Sequence, residues 1–327
     1  MRVGVAGAGA LGYHHVRLLR AIDGATSAGF YDADAERSAR VAADLGVRAH
    51  TSLDALIDAS DAVCIVVPTP AHAAVAGAAI ARGKHVFVEK PLCATLDEAD
   101  ALLAASAKAG VIVQTGHVER FNRAMRAALP YVDAPRFISS DRLAPFNPRG
   151  SDVAVVLDLM IHDIDLILTL THSTVADVQA VGIPVLTPSV DIANARLAFS
   201  DGAVATITAS RVSRERMRKL RIFQQSGYFS LDLAAGTGEY YRLRDGFDIT
   251  ALAKGPVALE AFVEHVALDA PEGEPLKLEL QSFVDAVHGK SAVVVDGAAG
   301  RAALDVAMRI LRAIEVSMAA AGNPARA

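Results

Sequence analysis

The sequence predicts an α/β fold with two domains. Residues 1–118 are expected to form a doubly wound parallel sheet, and residues 119–327 an α+β domain with a large, mostly antiparallel sheet. Three observations support this prediction. Short apolar strands alternate with helices through the first third of the chain. A glycine turn joins the first strand to the first helix. From residue 175 onward, short strands are separated by turns typical of hairpins.

The first domain is predicted from its alternation of strands and helices. Parallel strands are covered on both faces and are therefore largely apolar, as residues 3–6 are. Six strands are predicted before residue 118. The predicted strands are 3–6, 28–31, 47–50, 62–67, 85–88 and 111–115. The predicted helices are 14–22, 37–44, 52–57, 73–82 and 96–109.

The pattern changes after residue 117. Apolar residues at helical spacing predict one long helix over 152–170. Asp201-Gly202, Ser226-Gly227 and Asp245-Gly246 are suited to hairpin turns between strands. The predicted strands are 136–142, 175–184, 193–199, 203–210, 219–225, 228–233 and 239–244. The other predicted helices are 123–129, 276–288 and 299–320.

Composition excludes several classes of partner. Hydrophobic residues make up 52% of the chain, yet no long apolar run predicts a membrane span, and no signal peptide is expected. The net charge of −5 gives no basic surface for nucleic acid. Two cysteines, Cys64 and Cys93, cannot form a disulfide framework and suit a reducing compartment. We therefore expect a cytoplasmic protein with a small-molecule ligand.

The turn Gly7-Ala8-Gly9-Ala10-Leu11-Gly12 follows the first strand and opens a helix. Gly7 allows the tight turn, Gly9 lets a pyrophosphate approach the main chain, and Gly12 lets the helix pack closely on the sheet. The helix N-terminus offers unpaired N–H groups and a positive dipole end to the phosphates. This context predicts a Rossmann domain that binds a dinucleotide. The alternative is a glycine turn that only closes a βαβ unit.

Asp32 lies at the end of the second strand, about 20 residues beyond the glycines, where an acid accepts hydrogen bonds from the adenosine ribose. Its carboxylate would repel a 2′-phosphate, which favours NAD over NADP. Arg37 is expected to stack on adenine, or alternatively to admit a 2′-phosphate, which leaves NADP open.

Other candidate residues follow the predicted strands of the first sheet. Thr69 and His72 come after the fourth strand, and Glu89 and Lys90 after the fifth, at the carboxyl edge where open α/β sheets bind ligands. Proline at position 91 restricts the backbone of Lys90 to extended conformations. A partly buried ammonium at this edge is suited to exchanging protons with a sugar hydroxyl. The alternative is a surface lysine in a turn.

Asp158 and His162 are spaced i, i+4 and share one face of the predicted long helix. A carboxylate beside an imidazole orients the ring and stabilises its protonated form, which suits a general base for a hydroxyl proton. A helix cap with a solvated acidic face is one alternative. A metal site built from His162, Asp163 and Asp165 is another. No metal is predicted, because no second histidine has ligand spacing.

A third set of candidates follows the first domain. His117, Glu119, Arg120 and Asn122 form a polar segment at the predicted domain junction, suited to contacts with a sugar or phosphate. Arg120 could equally form an interdomain salt bridge. The second domain adds cationic groups that prefer bidentate oxyanion partners. We expect Arg142 and Arg211 among them to contact the substrate.

Three motifs together resemble the Gfo/Idh/MocA family of oxidoreductases. They are the glycine turn at 7–12, Glu89-Lys90-Pro91, and Asp158-Leu159-Met160-Ile161-His162-Asp163, in the family's order and over essentially the whole chain. The resemblance implies a nicotinamide-dependent oxidoreductase acting on a hydroxyl of a sugar or cyclitol. It also implies that Lys90, Asp158 and His162 occupy the catalytic positions.

A narrower resemblance concerns residues 116–122 and 159–165, which are similar to the branch containing UDP-N-acetylglucosamine 3-dehydrogenases. Ala71 departs from the family pattern, where asparagine is frequent. Met160 departs from its frequent glycine, and this departure fits the branch. The implied reaction oxidises the C3 hydroxyl of a nucleotide-activated amino sugar. An inositol or simple aldose dehydrogenase and a non-catalytic, dinucleotide-binding sugar sensor are the alternatives. By analogy, we expect a homodimer or homotetramer that pairs through the open face of the second sheet.

Overall fold

A computed structural model describes residues 1–148, 153–244 and 262–320. The chain divides into two compact units. One contains Met1–Val118 and Gly273–Asp305, and the other contains Glu119–Glu272 and the chain from Val306 onward. The sequence analysis assigned residues 273–305 to the second domain, whereas their contacts place them with the first unit.

The first unit contains a five-stranded sheet with strand order β2-β1-β3-β4-β5 and only parallel pairings. This confirms the predicted Rossmann-type, doubly wound parallel sheet. The strands are β1 (Arg2–Ala6), β2 (Thr26–Tyr31), β3 (Ala62–Ile65), β4 (His85–Glu89) and β5 (Val113–Gly116). The helices are α1 (Ala10–Leu18), α2 (Ala35–Leu45), α3 (Leu53–Ala59), α4 (His72–Ile80), α5 (Leu96–Ala109) and α8 (Pro275–Val287).

The strand predicted at 47–50 is wrong. Only Ala49 pairs there, in an isolated parallel bridge with Phe30. Two main-chain bonds connect this segment to β2, from Phe30 to Arg48 and from His50 to Phe30. The contact of this segment with β2 is too short to extend the sheet.

Helix α8 belongs to the core of the first unit. Leu280, Phe283 and Val284 are buried in one cluster with Val3 and Phe87 of the parallel sheet. These three helical residues lie on one face at i, i+3 and i+4 spacing. This packing explains why a segment distant in sequence joins the first unit.

The second unit contains an eight-stranded sheet with strand order β13-β12-β11-β10-β6-β9-β8-β7. Its pairings are antiparallel except for β6 with β9, which confirms the predicted large, mostly antiparallel sheet. The strand at Val263–Ala267 was not predicted. The strands are β6 (Phe137–Leu143), β7 (Val175–Ile183), β8 (Ile192–Phe199), β9 (Val204–Ser210), β10 (Met217–Gln224), β11 (Gly227–Asp232), β12 (Thr237–Leu243) and β13 (Val263–Ala267). The predicted turn at Asp245-Gly246 lies outside the described residues.

The long helix predicted over 152–170 is not a single α-helix. A π-helical turn spans Val156–Met160, and helix α7 follows at Ile161–Thr171. The predicted start at residue 152 lies outside the described residues. Helix α7 packs on β6 and β9. Single π turns are frequent at functional sites, and this one carries Asp158.

Two further helices complete the described chain. Helix α6 spans Arg123–Ala128 and helix α9 spans Gly297–Ala320. Both agree with the sequence prediction to within two residues at each end. None of the helices in the described ranges is both long enough and apolar enough to cross a membrane.

Candidate functional site

Two glycines of the turn, Gly7 and Gly12, leave no room for a side chain, whereas Gly9 does. Gly7 has a φ of +91°, and a Cβ there would lie 2.5 Å from the carbonyl oxygen of Val66. A Cβ on Gly12 would overlap the carbonyl oxygen of Gly7. A Cβ on Gly9 would meet nothing nearer than Arg37 Nη1, at 3.7 Å. The space beside Gly9 is therefore open, as a bound pyrophosphate requires.

Asp32 is tied to this turn by main-chain hydrogen bonds. The N–H of Ala8 donates to its Oδ2 at 2.7 Å, and the N–H of Asp34 donates to its Oδ1 at 2.9 Å. Only 8% of the Asp32 side chain is exposed. The carboxylate is thus fixed next to the glycine turn, where the sequence predicts a ribose contact.

Arg37 lies on α2 above the same turn. Its Nη2 donates to Asp34 Oδ2 at 2.7 Å, and its Nε lies 3.5 Å from Asp32 Oδ1. Hydrogen bonds from the Arg37 main chain and then from its side chain lower the pKa of Asp34. Two carboxylates therefore compensate the charge of the single arginine.

His72 joins two loops at the carboxyl edge of the sheet. It is 1% exposed, with Nδ1 2.8 Å from the Pro91 carbonyl oxygen and Nε2 2.9 Å from that of Val67. Thr69 lies in a short 3₁₀ turn that precedes it and is partly exposed. The geometry of His72 supports a role in bracing the loops rather than the predicted cofactor contact.

Glu89 is the last residue of β4 and Lys90 follows it, and their side chains differ in exposure. Glu89 is 8% exposed, and its Oε1 lies 2.9 Å from Nε2 of His15, a buried histidine of α1. Its Oε2 accepts the main-chain N–H of Lys90 at 3.3 Å. Lys90 itself is partly exposed, and its peptide bond to Pro91 is cis. Glu89 therefore connects α1 to the end of β4. This role differs from its predicted contact with the cofactor.

In the second unit, Arg142 is buried between two carboxylates. Its Nε and Nη2 donate to Asp163 at 2.6 and 3.1 Å, and its Nη1 donates to Glu119 Oε1 at 2.8 Å. Burial alone would lower the pKa of the guanidinium, but Asp163 and Glu119 outweigh it and the pKa is raised. The predicted substrate contacts of Arg142 and Glu119 do not fit this geometry, because Arg142 is 3% and Glu119 6% exposed.

Asn122 also has a structural role. Its Oδ1 accepts the N–H of Ala124 and begins α6, while its Nδ2 donates to Glu119 Oε2 at 3.0 Å and to the Leu233 carbonyl oxygen at 2.8 Å. All three groups are largely buried. A substrate contact from Asn122 would require breaking these bonds.

Arg120 forms a bidentate salt bridge with Asp165 of α7. Nε donates to Oδ2 at 2.8 Å and Nη2 to Oδ1 at 2.6 Å. Both residues belong to the second unit. The alternative of a salt bridge is therefore correct, but the bridge is not interdomain.

Arg211 supports the chain that leads into the π turn. It is 4% exposed, donates from Nη2 to the Val153 carbonyl oxygen, and lies with Nε 3.7 Å from Asp191 Oδ1. Burial would raise the pKa of Asp191, but hydrogen bonds from the Val185–Thr187 segment lower it overall. The predicted substrate contact of Arg211 does not agree with this burial.

Asp158 and His162 contrast with these buried groups. Both are partly exposed, whereas Asp163 and Asp165, each 1% exposed, are held by arginines. His117 is 1% exposed in the loop after β5 and donates its main-chain N–H to the Thr115 carbonyl oxygen at 2.9 Å. Because Arg142 pairs with Asp163 and Arg120 with Asp165, the two acids of the alternative metal site are neutralised by the protein. Among the described residues, no cluster of three potential metal ligands is present.

One functional candidate was missed by the sequence analysis. His15 was not singled out, yet it contacts Glu89 directly. The available signal was its position on the apolar face of α1, where a polar side chain needs a partner. Its partner, 74 residues away in the chain, was not evident from local sequence.

Comparisons with known proteins agree with this architecture. The Gfo/Idh/MocA oxidoreductase model, described as an NAD-binding Rossmann fold, matches residues 1–117, and the family's C-terminal domain model matches residues 132–230. The chain is 39% identical, over 96% of its own length and 97% of the other, to UDP-N-acetylglucosamine 3-dehydrogenase from Acidithiobacillus ferrooxidans. A solved structure of that enzyme, GnnA, superposes with a TM-score of 0.88 and covers 97% of this chain and 98% of that one.

Two more distant relatives are informative. The scyllo-inositol 2-dehydrogenase (NAD(+)) of Bacillus subtilis is 31% identical over 65% of this chain and 68% of its own. The WlbA dehydrogenase of Bordetella pertussis, solved with NADH and UDP-GlcNAcA, is 17% identical and has a TM-score of 0.81 over 97% of this chain and 96% of that one. The second comparison supports the fold alone. Together with the two family matches, these similarities establish that the chain belongs to the Gfo/Idh/MocA family of oxidoreductases.

Proposed function

We propose that the protein is an NAD-dependent sugar dehydrogenase that oxidises the C3 hydroxyl of UDP-N-acetylglucosamine to a 3-keto sugar. The observation that carries this proposal is the 39% identity, over 96% of the chain, to an enzyme named for that activity. The accessible Lys90, Asp158 and His162 supply the acid and base groups that such a reaction needs.

The proposed roles follow from the chemistry of alcohol oxidation. A bound nicotinamide supplies the hydride acceptor. His162 takes the proton of the substrate hydroxyl, and Asp158 orients the imidazole and stabilises its protonated form. Lys90 donates a hydrogen bond to the same oxygen as negative charge develops on it. Oxidation thus removes one hydride and one proton from the sugar.

NAD is the proposed cofactor because of the charges around the glycine turn. Asp32 is fixed beside the turn, and Arg37 is paired with Asp34 and lies near Asp32. An arginine that is already compensated by two acids is a poor partner for a 2′-phosphate. The open space at Gly9 and the N-terminus of the nine-residue α1 fit a pyrophosphate.

A substrate diphosphate would need cationic groups that remain accessible to it. Arg142 and Arg211 are buried in protein contacts. Arg218 is half-buried and its Nη1 donates to Glu119 Oε1 at 3.3 Å, whereas Arg216 is exposed. Burial first, and then the neighbouring Arg142, lower the pKa of Arg218, whereas Glu119 opposes this effect. Because both side chains are accessible and carry guanidinium groups suited to oxyanions, Arg216 and Arg218 are the proposed diphosphate contacts.

We also propose a homodimer or homotetramer that pairs through the open face of the second sheet. Phe137, Phe223 and Tyr228 form a cluster there, with ring centroids 5.5 and 4.7 Å apart. Phe137 and Phe223 are 39% and 37% exposed. A second copy would bury these rings, and a monomeric mass by light scattering would refute the proposal. The free cysteines Cys64 and Cys93 are consistent with the proposed cytoplasmic location.

The test is NADH absorbance with NAD and UDP-N-acetylglucosamine, free N-acetylglucosamine, and myo- and scyllo-inositol as separate substrates. Turnover of the UDP-sugar alone is expected. Turnover of only an inositol would replace the proposal by the second candidate, which the 31% identity to a scyllo-inositol dehydrogenase favours. The Lys90→Ala, His162→Ala double variant is the control, and undiminished turnover by it would refute the proposed mechanism.

A further inference from the structure

A buried hydrogen bond connects the cofactor helix to the loop that carries Lys90. His15 is 0% exposed on α1, five residues after the helix begins. Its Nε2 lies 2.9 Å from Oε1 of Glu89, the last residue of β4. An ionised carboxylate can only accept hydrogen bonds, so this contact requires the proton on Nε2.

The two oxygens of Glu89 have different partners. Oε1 meets His15, and Oε2 accepts the main-chain N–H of Lys90 at 3.3 Å. The carboxylate also packs against Gly116 of β5, where a Cβ would lie 2.9 Å from Oε2. Rotation of the Glu89 side chain would therefore break the bond to His15 and the bond to Lys90 together.

Apolar packing fixes the position of the His15 ring. Its centroid lies 5.5 Å from that of Phe87, two residues before Glu89 on β4, and Phe87 packs against Phe283 at 5.9 Å. Nδ1 is buried, with no hydrogen-bond partner within the described part of the chain. The ring therefore makes its one polar contact toward Glu89, and its orientation is set by the aromatic cluster.

We propose that His15 is a positioning residue for catalysis, which holds Glu89 so that the main chain of Lys90 is fixed relative to the helix that binds the cofactor pyrophosphate. This inference rests on the proposed function of Lys90. His15 touches neither substrate nor reacting atoms in this account. Its contribution is the placement of the Lys90 ammonium, since small displacements of a reacting group can cost about 10²-fold in rate.

The test compares His15→Leu with His15→Gln. Leucine fills the volume without a donor, whereas the glutamine Nε2 can occupy the place of the imidazole Nε2 and donate to Glu89. We expect kcat to fall by on the order of 10²-fold in His15→Leu and to recover largely in His15→Gln. The dissociation constant of NADH is expected to remain near the wild-type value in both variants. The matched control is His14→Leu, on the exposed face of the same helix, which should leave kcat unchanged.

A merely structural role would lower the melting temperature of both variants and leave the rate of the folded enzyme unchanged. An unchanged kcat in folded His15→Leu, or equal losses in the Leu and Gln variants, would overturn the inference. If His15→Leu does not fold, His15→Asn replaces it, because asparagine keeps an amide but is one methylene too short to reach Glu89. Lys90→Met is measured in parallel. Its full activity would refute the proposed role of Lys90, whereas an inactive Lys90→Met beside a fully active His15→Leu would refute only the role of His15.

Discussion

The ionisable residues around helix α7 fall into two groups. Asp163 and Asp165 are 1% exposed and are neutralised by Arg142 and Arg120, which form with Glu119 a set that we call the buried frame. Asp158 and His162 are partly exposed. Buried charges are tolerated only when they are paired, so the frame is committed to holding α7 in place. The accessible pair, Asp158 and His162, is the one proposed for catalysis.

In the first unit, different groups hold the end of β4 in place. There, a single His15–Glu89 contact and main-chain hydrogen bonds hold the end of β4, and no guanidinium takes part among the contacts described for this edge. Residue type alone therefore does not distinguish side chains that support the fold from side chains proposed to react. Their exposure and their hydrogen-bond partners make this distinction. It can be tested by measuring the stability and the activity of each variant separately.

The largest expected effect is on the buried frame. Arg142→Met leaves Asp163 and Glu119 buried without their main cation, so we expect a loss of about 3–5 kcal/mol in the free energy of unfolding. Urea denaturation measures it. The control is Arg221→Met, which removes an exposed pair with Asp141 (3.5 Å) and should cost at most about 1 kcal/mol. Equal and small losses in both variants would contradict the distinction between frame and surface.

Removing the proposed base should lower the activity and leave the stability nearly unchanged, the reverse of the effect expected for Arg142→Met. His162→Ala is expected to lower kcat by about 10²–10⁴-fold, with little change in the free energy of unfolding because the side chain is partly exposed. Initial rates and urea denaturation of the same preparation separate the two quantities. If the variant lost stability but kept its kcat, His162 would instead have a structural role like that of the buried frame.

The open space at Gly9 predicts a smaller effect, confined to the cofactor. Gly9→Ala places a methyl group where the pyrophosphate is expected, so the dissociation constant of NADH should rise at least ~10-fold, which is about 1.4 kcal/mol. Gly46→Ala is the control, since Gly46 has a φ of +62° at the end of α2, away from the turn. It should lower stability and leave NADH affinity unchanged. Equal NADH affinity in Gly9→Ala and the wild type would argue against the proposed pyrophosphate position.

The smallest effect concerns an exposed pair. A side-chain hydrogen bond from Arg2 lowers the pKa of Asp61 to about 2. Because the folded pKa lies below the unfolded value of about 3.9, the stabilisation is present above that value and is lost as the pH falls through the folded pKa. Arg2→Met should lower the free energy of unfolding only slightly near neutrality, because an exposed ion pair contributes little, and the difference from wild type should vanish toward pH 2. A difference that persists there would point to packing of the arginine rather than to its charge.

The sequence predicted those features that local patterns specify. The glycine turn, the alternating strands, Lys90 and the Asp158 and His162 pair are each encoded within a few neighbouring residues. The π turn was missed because its apolar spacing does not distinguish it from an α-helix. The segment at 47–50 was misassigned because its residues do not reveal how many main-chain hydrogen bonds it makes with β2.

Several predicted substrate contacts fall on side chains that the structure buries, among them Arg142, Glu119 and Arg211. An arginine in the sequence indicates an oxyanion partner, but it does not indicate whether that partner is a ligand or the protein's own carboxylate. Arg142 and Asp163 are 21 residues apart on different elements, so only the fold brings them together. His15 and Glu89 present the same difficulty across 74 residues. Such long-range polar pairs account for most of what sequence analysis did not find.

The most direct test of the proposed reaction follows the hydrogen at C3. The purified protein is incubated with NAD and UDP-N-acetylglucosamine carrying deuterium at C3, and the NADH formed is examined by mass spectrometry. Oxidation at C3 predicts that the deuterium is found in NADH, that turnover is slower than with unlabelled substrate, and that deuterium at C4 has neither effect. NADH without deuterium would contradict oxidation at C3, and NADH that binds without forming from any sugar supplied would instead support a sugar sensor.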